Sequence, residues 1–219
     1  MALNHQLDNY CERIDPSFWA EPVNAVTNVA FLIAAVVCWG MLGGKRDPGA
    51  RILTVLLFAI GVGSFLFHTY ATRWALMADV LPSTAFILAY VYLATTRFFD
   101  LRWFWGLAAV VLFFPYSAGV SAAVGAAFGP LNGSVGYIPV ALLILGYAAA
   151  VLPRDGQAAR GLAIGGAILS LSLLFRTVDE ALCPAIPLGT HFLWHVLNGI
   201  MLGWMIFVMH RHGGRVQPA

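Results

Sequence analysis

Charged residues fall along this chain in short clusters. Between the clusters run long stretches without Asp, Glu, Lys or Arg. A helix needs about 20 mostly apolar residues to cross a hydrocarbon core about 30 Å thick. Pro22 to Gly44, Ile52 to Thr72 and Val80 to Thr96 are uncharged and near that length. Trp103 to Pro153 is uncharged and far too long for one span, and it breaks at Ala127-Phe-Gly-Pro-Leu-Asn-Gly-Ser134, a cluster of turn formers. Gly161 to Phe175 reaches span length once Ala158 and Ala159 join it, and a last span starts near Leu188. The pattern predicts an all-α, seven-transmembrane bundle in a single domain over 1–219. Its spans are expected at about 22–43, 52–71, 79–97, 103–122, 135–153, 158–176 and 188–210, after an acidic N-terminal segment at 1–20. The polar N-terminus lacks the pattern of a cleavable signal peptide. No internal repeat stands out, so inverted-repeat transporter logic has little purchase.

Composition agrees with this pattern. Sixty per cent of the residues are hydrophobic and 10% are charged, against about 25% charged in an average soluble domain. A soluble globule could not cover its surface with so few charges. This excludes an ordinary cytosolic enzyme, a disordered chain and a disulfide-rich secreted module. A net charge of +2 and no basic run longer than Lys45-Arg46 argue against a nucleic-acid partner. Nothing in the sequence calls for an obligate protein partner.

The placement of the cations predicts orientation, because Lys and Arg gather on the cytosolic side. Lys45, Arg46, Arg51, Arg97, Arg102, Arg154, Arg160, Arg211 and Arg215 fall on one side, and Arg13, Arg73 and Arg176 on the other. The N-terminus is therefore expected outside and the C-terminus in the cytosol. One Lys, eleven Arg and no organelle retrieval signal fit a bacterial inner membrane. Asp8, Glu12, Asp15, Glu21, Asp79, Asp179 and Glu180 crowd the outer side. Acids contribute little to topology, so this bias needs another cause, and metal binding is one.

Trp19, Trp74 and Trp103 lie near span ends and read as an interfacial belt. Pro82, Pro115 and Pro139 read as kinks. Cys38 reads as a packing residue, and no role is expected for His5, His210 or His212.

His68, His191 and His195 are the unusual residues, because ionisable groups inside a span are costly and mark function. His191 and His195 are spaced i, i+4 and share a helix face. Counting helical rise from the cytosolic arginines puts His68 about 25 Å, Asp79 about 27 Å, and His195 and His191 about 24 and 30 Å along their spans. Four polar residues thus meet at one depth in the outer half of the bilayer. Three neutral imidazoles with one open position form a catalytic zinc site, where a bound water has its pKa lowered to about 7. Asp79 would be the general base and then the acid, and Ser64, one turn below His68, would face a developing oxyanion. Bland readings stand beside these: interfacial histidines bonded to neighbouring helices, an Asp79 favoured by a helix N-terminus, and a Ser64 that packs within Gly61-Val-Gly-Ser64.

The motifs Gly63-Ser-Phe-Leu-Phe-His68, Asp79 and Gly189-Thr-His-Phe-Leu-Trp-His195, with Tyr10-Cys-Glu12, Ala20-Glu-Pro-Val-Asn24 and Thr27-Asn28, resemble the alkaline ceramidase family. That family lies within a wider superfamily of seven-helix membrane hydrolases, and the resemblance covers essentially the whole chain. It implies an intramembrane zinc hydrolase that cleaves the ceramide amide into a fatty acid and a sphingoid base. His68, His191 and His195 would be the zinc ligands, Asp79 the proton carrier and Ser64 the carbonyl's helper. It also implies a calcium ion on the N-terminal segment. Glu12 and Glu21 match the acidic pattern, with Asn24 and Asn28 following at the family's spacing. Asp8, Asn9 and Asp15 remain open as ligands, because Asn9-Tyr10 stands where the family has Asp-Trp and the stretch from Cys11 to Glu21 is about two residues short. The resemblance further implies a Cys11–Cys183 disulfide.

The substrate would be a ceramide-like lipid entering from the bilayer. The competing reading is a zinc-containing seven-helix receptor or signalling protein without turnover. A retinal protein is excluded, since the only Lys, Lys45, lies in a loop.

Overall fold

The computed structural model describes residues 3–212, so Arg215 of the charge count lies outside them. The described residues form nine helical segments: α1 (Pro22–Thr27), α2 (Val29–Leu42), α3 (Pro48–Tyr70), α4 (Arg73–Phe98), α5 (Trp103–Phe128), a 3-10 turn (Leu131–Gly136), α6 (Ile138–Val151), α7 (Gly156–Leu182) and α8 (His191–His212). With α1 joined to α2 and the 3-10 turn joined to α6, seven helices are long and apolar enough to cross a membrane.

Several helix ends differ from the expected spans, for local reasons. α4 begins at Arg73 rather than at 79, because α3 and α4 meet at a two-residue corner whose Ala71 is left-handed. Asp79 therefore sits beyond the first turn, and attraction to the helix N-terminus does not account for it. α5 continues to Phe128, where Gly129 (φ 79) and Pro130 stop it. Pro82 and Pro115 lie inside α4 and α5, whereas Pro139 occupies the first turn of α6, where its missing N–H costs nothing.

The core is packed by Leu42, Leu53, Leu57, Leu162, Leu169, Met205, Ile206 and Met209, with Cys38 buried among them. Only Gly106 of α5 is buried, against Tyr92 and Thr96, so α5 lies on the outside of the bundle. Val36, Val37, Trp39, Val111 and Leu112 point outward. Such a surface suits lipid and would be a liability in water.

Before α1 the chain forms a strap over one end of the bundle. Leu7 N–H donates to the Ala71 carbonyl (2.7 Å), and the carbonyls of His5 and Leu3 accept from Arg73 and Trp74 (3.3 and 3.2 Å). Tyr10 packs with Phe67 and Ala75, and a Cys11–Cys183 disulfide fastens the strap to the end of α7. At the opposite end His210 and His212, for which no role was expected, hold helix starts. Their Nδ1 atoms lie 2.9 Å from Asp47 and 3.1 Å from Asp155, the N-cap residues of α3 and α7.

Candidate active site

The last turn of α3 carries His68 and the first turns of α8 carry His191 and His195, at the end the strap covers. Each is 1% exposed. Ring centroids lie 4.5 Å apart for His68–His195, 4.6 Å for His191–His195 and 5.2 Å for His68–His191. One ring nitrogen from each falls within 4.8 Å of the others, the only such cluster of His, Cys, Asp or Glu among the described residues. His191 Nδ1 and His195 Nε2 are buried without a hydrogen-bond partner. Leaving such atoms unpaired is costly, and a metal ion is a partner that the three clustered imidazoles could hold. The donor set fits zinc, which takes three imidazoles and keeps a position open.

Neighbours hold two of the rings in place. His68 Nδ1 lies 2.6 Å from Glu21 Oε2, which leaves its other nitrogen for the centre, and His195 Nδ1 lies 3.1 Å from Thr27 Oγ1. The Tyr10 ring stacks on His191 at 3.7 Å. Asp179 of α7 caps α8 from outside it, accepting from the backbone N–H groups of Thr190 (2.6 Å), His191 (2.9 Å) and Cys11 (3.1 Å). Gly189, at φ 67, leaves the space this carboxylate fills, because a Cβ there would meet Asp179 Oδ1.

Ser64 and Asp79 line the cavity that the histidines face. They come together because α3 and α4 touch backbone to backbone at Gly63, where a Cβ would strike the carbonyl of Ala78. From this polar end the cavity descends between helices to Ala94, Tyr147, Leu162 and Met205. From His191 to Met205 this is about 21 Å along α8.

The outer acids Glu12, Glu21 and Asp15 have partners within the chain. Glu12 accepts from the N–H groups of Val23 and Asn24 (2.7 and 2.8 Å), so it caps α1. Burial pushes the Glu12 carboxyl up, against those two amides. Glu21 is shared by Arg13 Nε (2.5 Å), His68 and Asn24 Nδ2 (3.2 Å). Its carboxyl is held low in spite of burial, by His68 and Arg13. The Arg13 guanidinium also donates to the carbonyls of Asp15 (3.1 Å), Ser17 (3.4 Å) and His68 (3.1 Å). That is an oxygen cradle already filled by a cation. Asp8, Asn9 and Asp15 are exposed, and Asp15 accepts from Ser17 N–H (2.7 Å). Asn24 falls beside Glu21 and Asn28 beside Asn24, with buried side-chain oxygens that lack donors. Those two amide oxygens are the ones left without a donor, since the carboxylates and carbonyls around them face Arg13, His68 or backbone N–H groups, and calcium takes roughly six to eight oxygens. The residues present do not fit that ion.

Five contributors escaped sequence reasoning. Tyr10 and Thr27 were visible only as parts of motifs, Arg13 only as a topology charge, and Asp179 only as one more outer acid. Arg176 was likewise counted for topology, yet it lines the cavity, its guanidinium 5.6, 5.5 and 5.1 Å from the ring centres of Tyr10, Tyr137 and Trp194.

Comparison with curated proteins returns no match. The profile of the family described as Ceramidase matches residues 8–213. That range includes the strap from Asp8 onward, the three histidines, Ser64 and Asp79, and it takes in nearly the whole chain, so this protein belongs to the ceramidase family.

Proposed function

We propose that this chain is a zinc-dependent lipid amide hydrolase that cleaves a ceramide-like substrate into a fatty acid and a sphingoid base. Family membership supports the hydrolase class. The observation that carries the metal is the pair of buried, unpartnered nitrogens on His191 and His195 facing His68. When bound by the three histidines, zinc supplies Lewis-acid polarisation of the amide carbonyl and an activated water at neutral pH.

The protein's own groups do the rest. The apolar cavity takes the acyl chain and leaves the amide at its polar end. Asp79 takes the proton from the attacking water and passes it to the nitrogen as the C–N bond breaks, so the amine leaves neutral. Ser64 Oγ–H donates to the oxygen that gains charge when the carbonyl carbon becomes tetrahedral. Glu21 and Thr27 hold the imidazoles of His68 and His195 in orientation. In the same reading the histidine end lies in the outer half of a bacterial inner membrane, with the N-terminus outside, because most Lys and Arg sit at the other end.

Elemental analysis of the purified protein, paired with mass-spectrometric turnover of a ceramide panel, tests this. We expect near-stoichiometric zinc and release of fatty acid. His195→Ala should abolish release while keeping the helical circular-dichroism spectrum. Absent zinc, or undiminished turnover in that variant, refutes the assignment. Zinc without cleavage of any ceramide favours a receptor.

A further inference from the structure

Arg13 is buried at the histidine end of the bundle, and no step of the hydrolytic scheme uses it. Its backbone N–H donates to the Tyr10 carbonyl (3.1 Å). This turn sends the Tyr10 ring onto His191 and the Arg13 side chain to Glu21. The guanidinium donates from all three of its nitrogens. Nε meets Glu21 Oε1 (2.5 Å), Nη1 meets the carbonyls of Asp15 (3.1 Å) and Ser17 (3.4 Å), and Nη2 meets the carbonyl of His68 (3.1 Å). The strap is folded to present its two carbonyls. Asp15 Oδ1 accepts from Ser17 N–H (2.7 Å), and the Ser17 carbonyl also accepts from Ala20 N–H (3.2 Å).

These bonds close a ring around one candidate metal ligand. Glu21 Oε2 holds the His68 imidazole at Nδ1 (2.6 Å), and Arg13 holds both Glu21 Oε1 and the His68 carbonyl. One cation thus fixes the carboxylate that orients His68 and the backbone that carries it. A buried carboxylate without a counter-charge is costly, so a positive group is needed at this point. A carboxylate and several carbonyls converging on one place are also the oxygens that a divalent cation takes. The guanidinium fills that place, and like charges within a few ångströms repel. Glu12, the other buried acid of the strap, spends both oxygens on the N–H groups of Val23 and Asn24.

We propose that Arg13 is a positioning residue of the histidine centre. Its guanidinium does from within the chain what a bound calcium ion would do for the Glu21–His68 pair, so the centre assembles and works without calcium. This rests on the three-histidine metal reading above, and it names the source of the supporting charge.

Wild type, Arg13→Ala and Arg13→Lys are purified in calcium-depleted buffer and titrated with calcium chloride. Bound calcium is read by equilibrium dialysis, stability by melting temperature, and zinc affinity by competition with a chromophoric chelator. The wild type should bind no calcium, and its melting temperature, zinc affinity and ceramide turnover should not change along the titration. Arg13→Ala should lose about tenfold in zinc affinity, the lower end for an outer partner of a ligand histidine. Arg13→Lys, which keeps the charge, should lose less. Calcium should raise the melting temperature of Arg13→Ala alone, because the substitution opens the oxygen cradle. One calcium bound by the wild type overturns the inference, and that titration decides the matter even if Arg13→Ala does not fold. Zinc affinity in Arg13→Ala equal to the wild type overturns it too, as does an equal loss in Arg13→Lys and Arg13→Ala. A cradle in Arg13→Ala that ignores calcium does the same, since the guanidinium would then replace nothing. None of the binding measurements needs turnover. If no ceramide is cleaved, the hydrolase reading falls and the role of Arg13 is still decided.

Discussion

Glu21 touches the ring of His68 through one oxygen and the guanidinium of Arg13 through the other. A carboxylate on a ligand histidine fixes the ring and makes it more basic, and losing one typically costs about 10–100-fold in metal affinity. Glu21→Gln should therefore weaken zinc binding by about that factor, measured by competition with a chromophoric chelator. Affinity equal to the wild type would remove Glu21 from the site. The histidines were legible in the sequence because an ionisable residue in an apolar stretch is conspicuous wherever it points. Arg13 and Arg176 were not, because a charge count says at which end of a helix a cation lies and not what it faces. The structure pairs the first with Glu21 and sets the second in the cavity wall.

At the level of the helices, charge-free stretches located the spans because the hydrocarbon core imposes a length and excludes charge. Helix ends were harder to read, since they depend on caps that come from elsewhere in the chain. α8 is capped by Asp179 of α7, eleven residues before Thr190, and α1 by Glu12 of the strap. Close approach was also hidden. Gly63 reads as one small residue among several, yet it is where the α4 backbone at Ala78 lies against α3. Gly63→Val should separate the two helices, lowering stability by about 1–3 kcal/mol through overpacking. It should also displace Asp79 from Ser64, so turnover should fall more than the folded fraction does. A melting temperature and kcat equal to those of the wild type would contradict this contact.

Across the whole molecule, two fastenings hold the bundle at its opposite ends. The Cys11–Cys183 disulfide and Asp179 tie the strap over the histidines. At the other end Asp47 caps α3 at Ala50 N–H (3.0 Å) and meets Arg97 of α4 and His210 of α8, each at 2.9 Å. Burial raises the Asp47 carboxyl, but Arg97, the Ala50 amide and His210 outweigh it and hold the carboxyl below its ordinary value. A lowered carboxylate pKa adds stability above the unfolded value of about 3.9, and that stability is lost as pH falls through the folded value. The melting temperature in detergent should accordingly drop below about pH 4, and Asp47→Asn should start lower and flatten that acid limb. An unchanged acid limb in the variant would assign the loss to other groups.

Span number, the apolar exterior and the candidate ligands follow from local composition, because a bilayer acts on each helix separately and charges every polar group for its depth. The outer acids carried an ambiguous signal, since acid content alone does not separate a metal site from a set of helix caps. Packing gives each a partner: Glu12 and Asp179 cap helices, Glu21 bonds a histidine, and Arg13 is the cation among the oxygens. Which atoms meet across the bundle depends on helix rotation and on contacts between residues more than a hundred positions apart, such as Thr27 with His195. No stretch of sequence contains that geometry until the chain has folded.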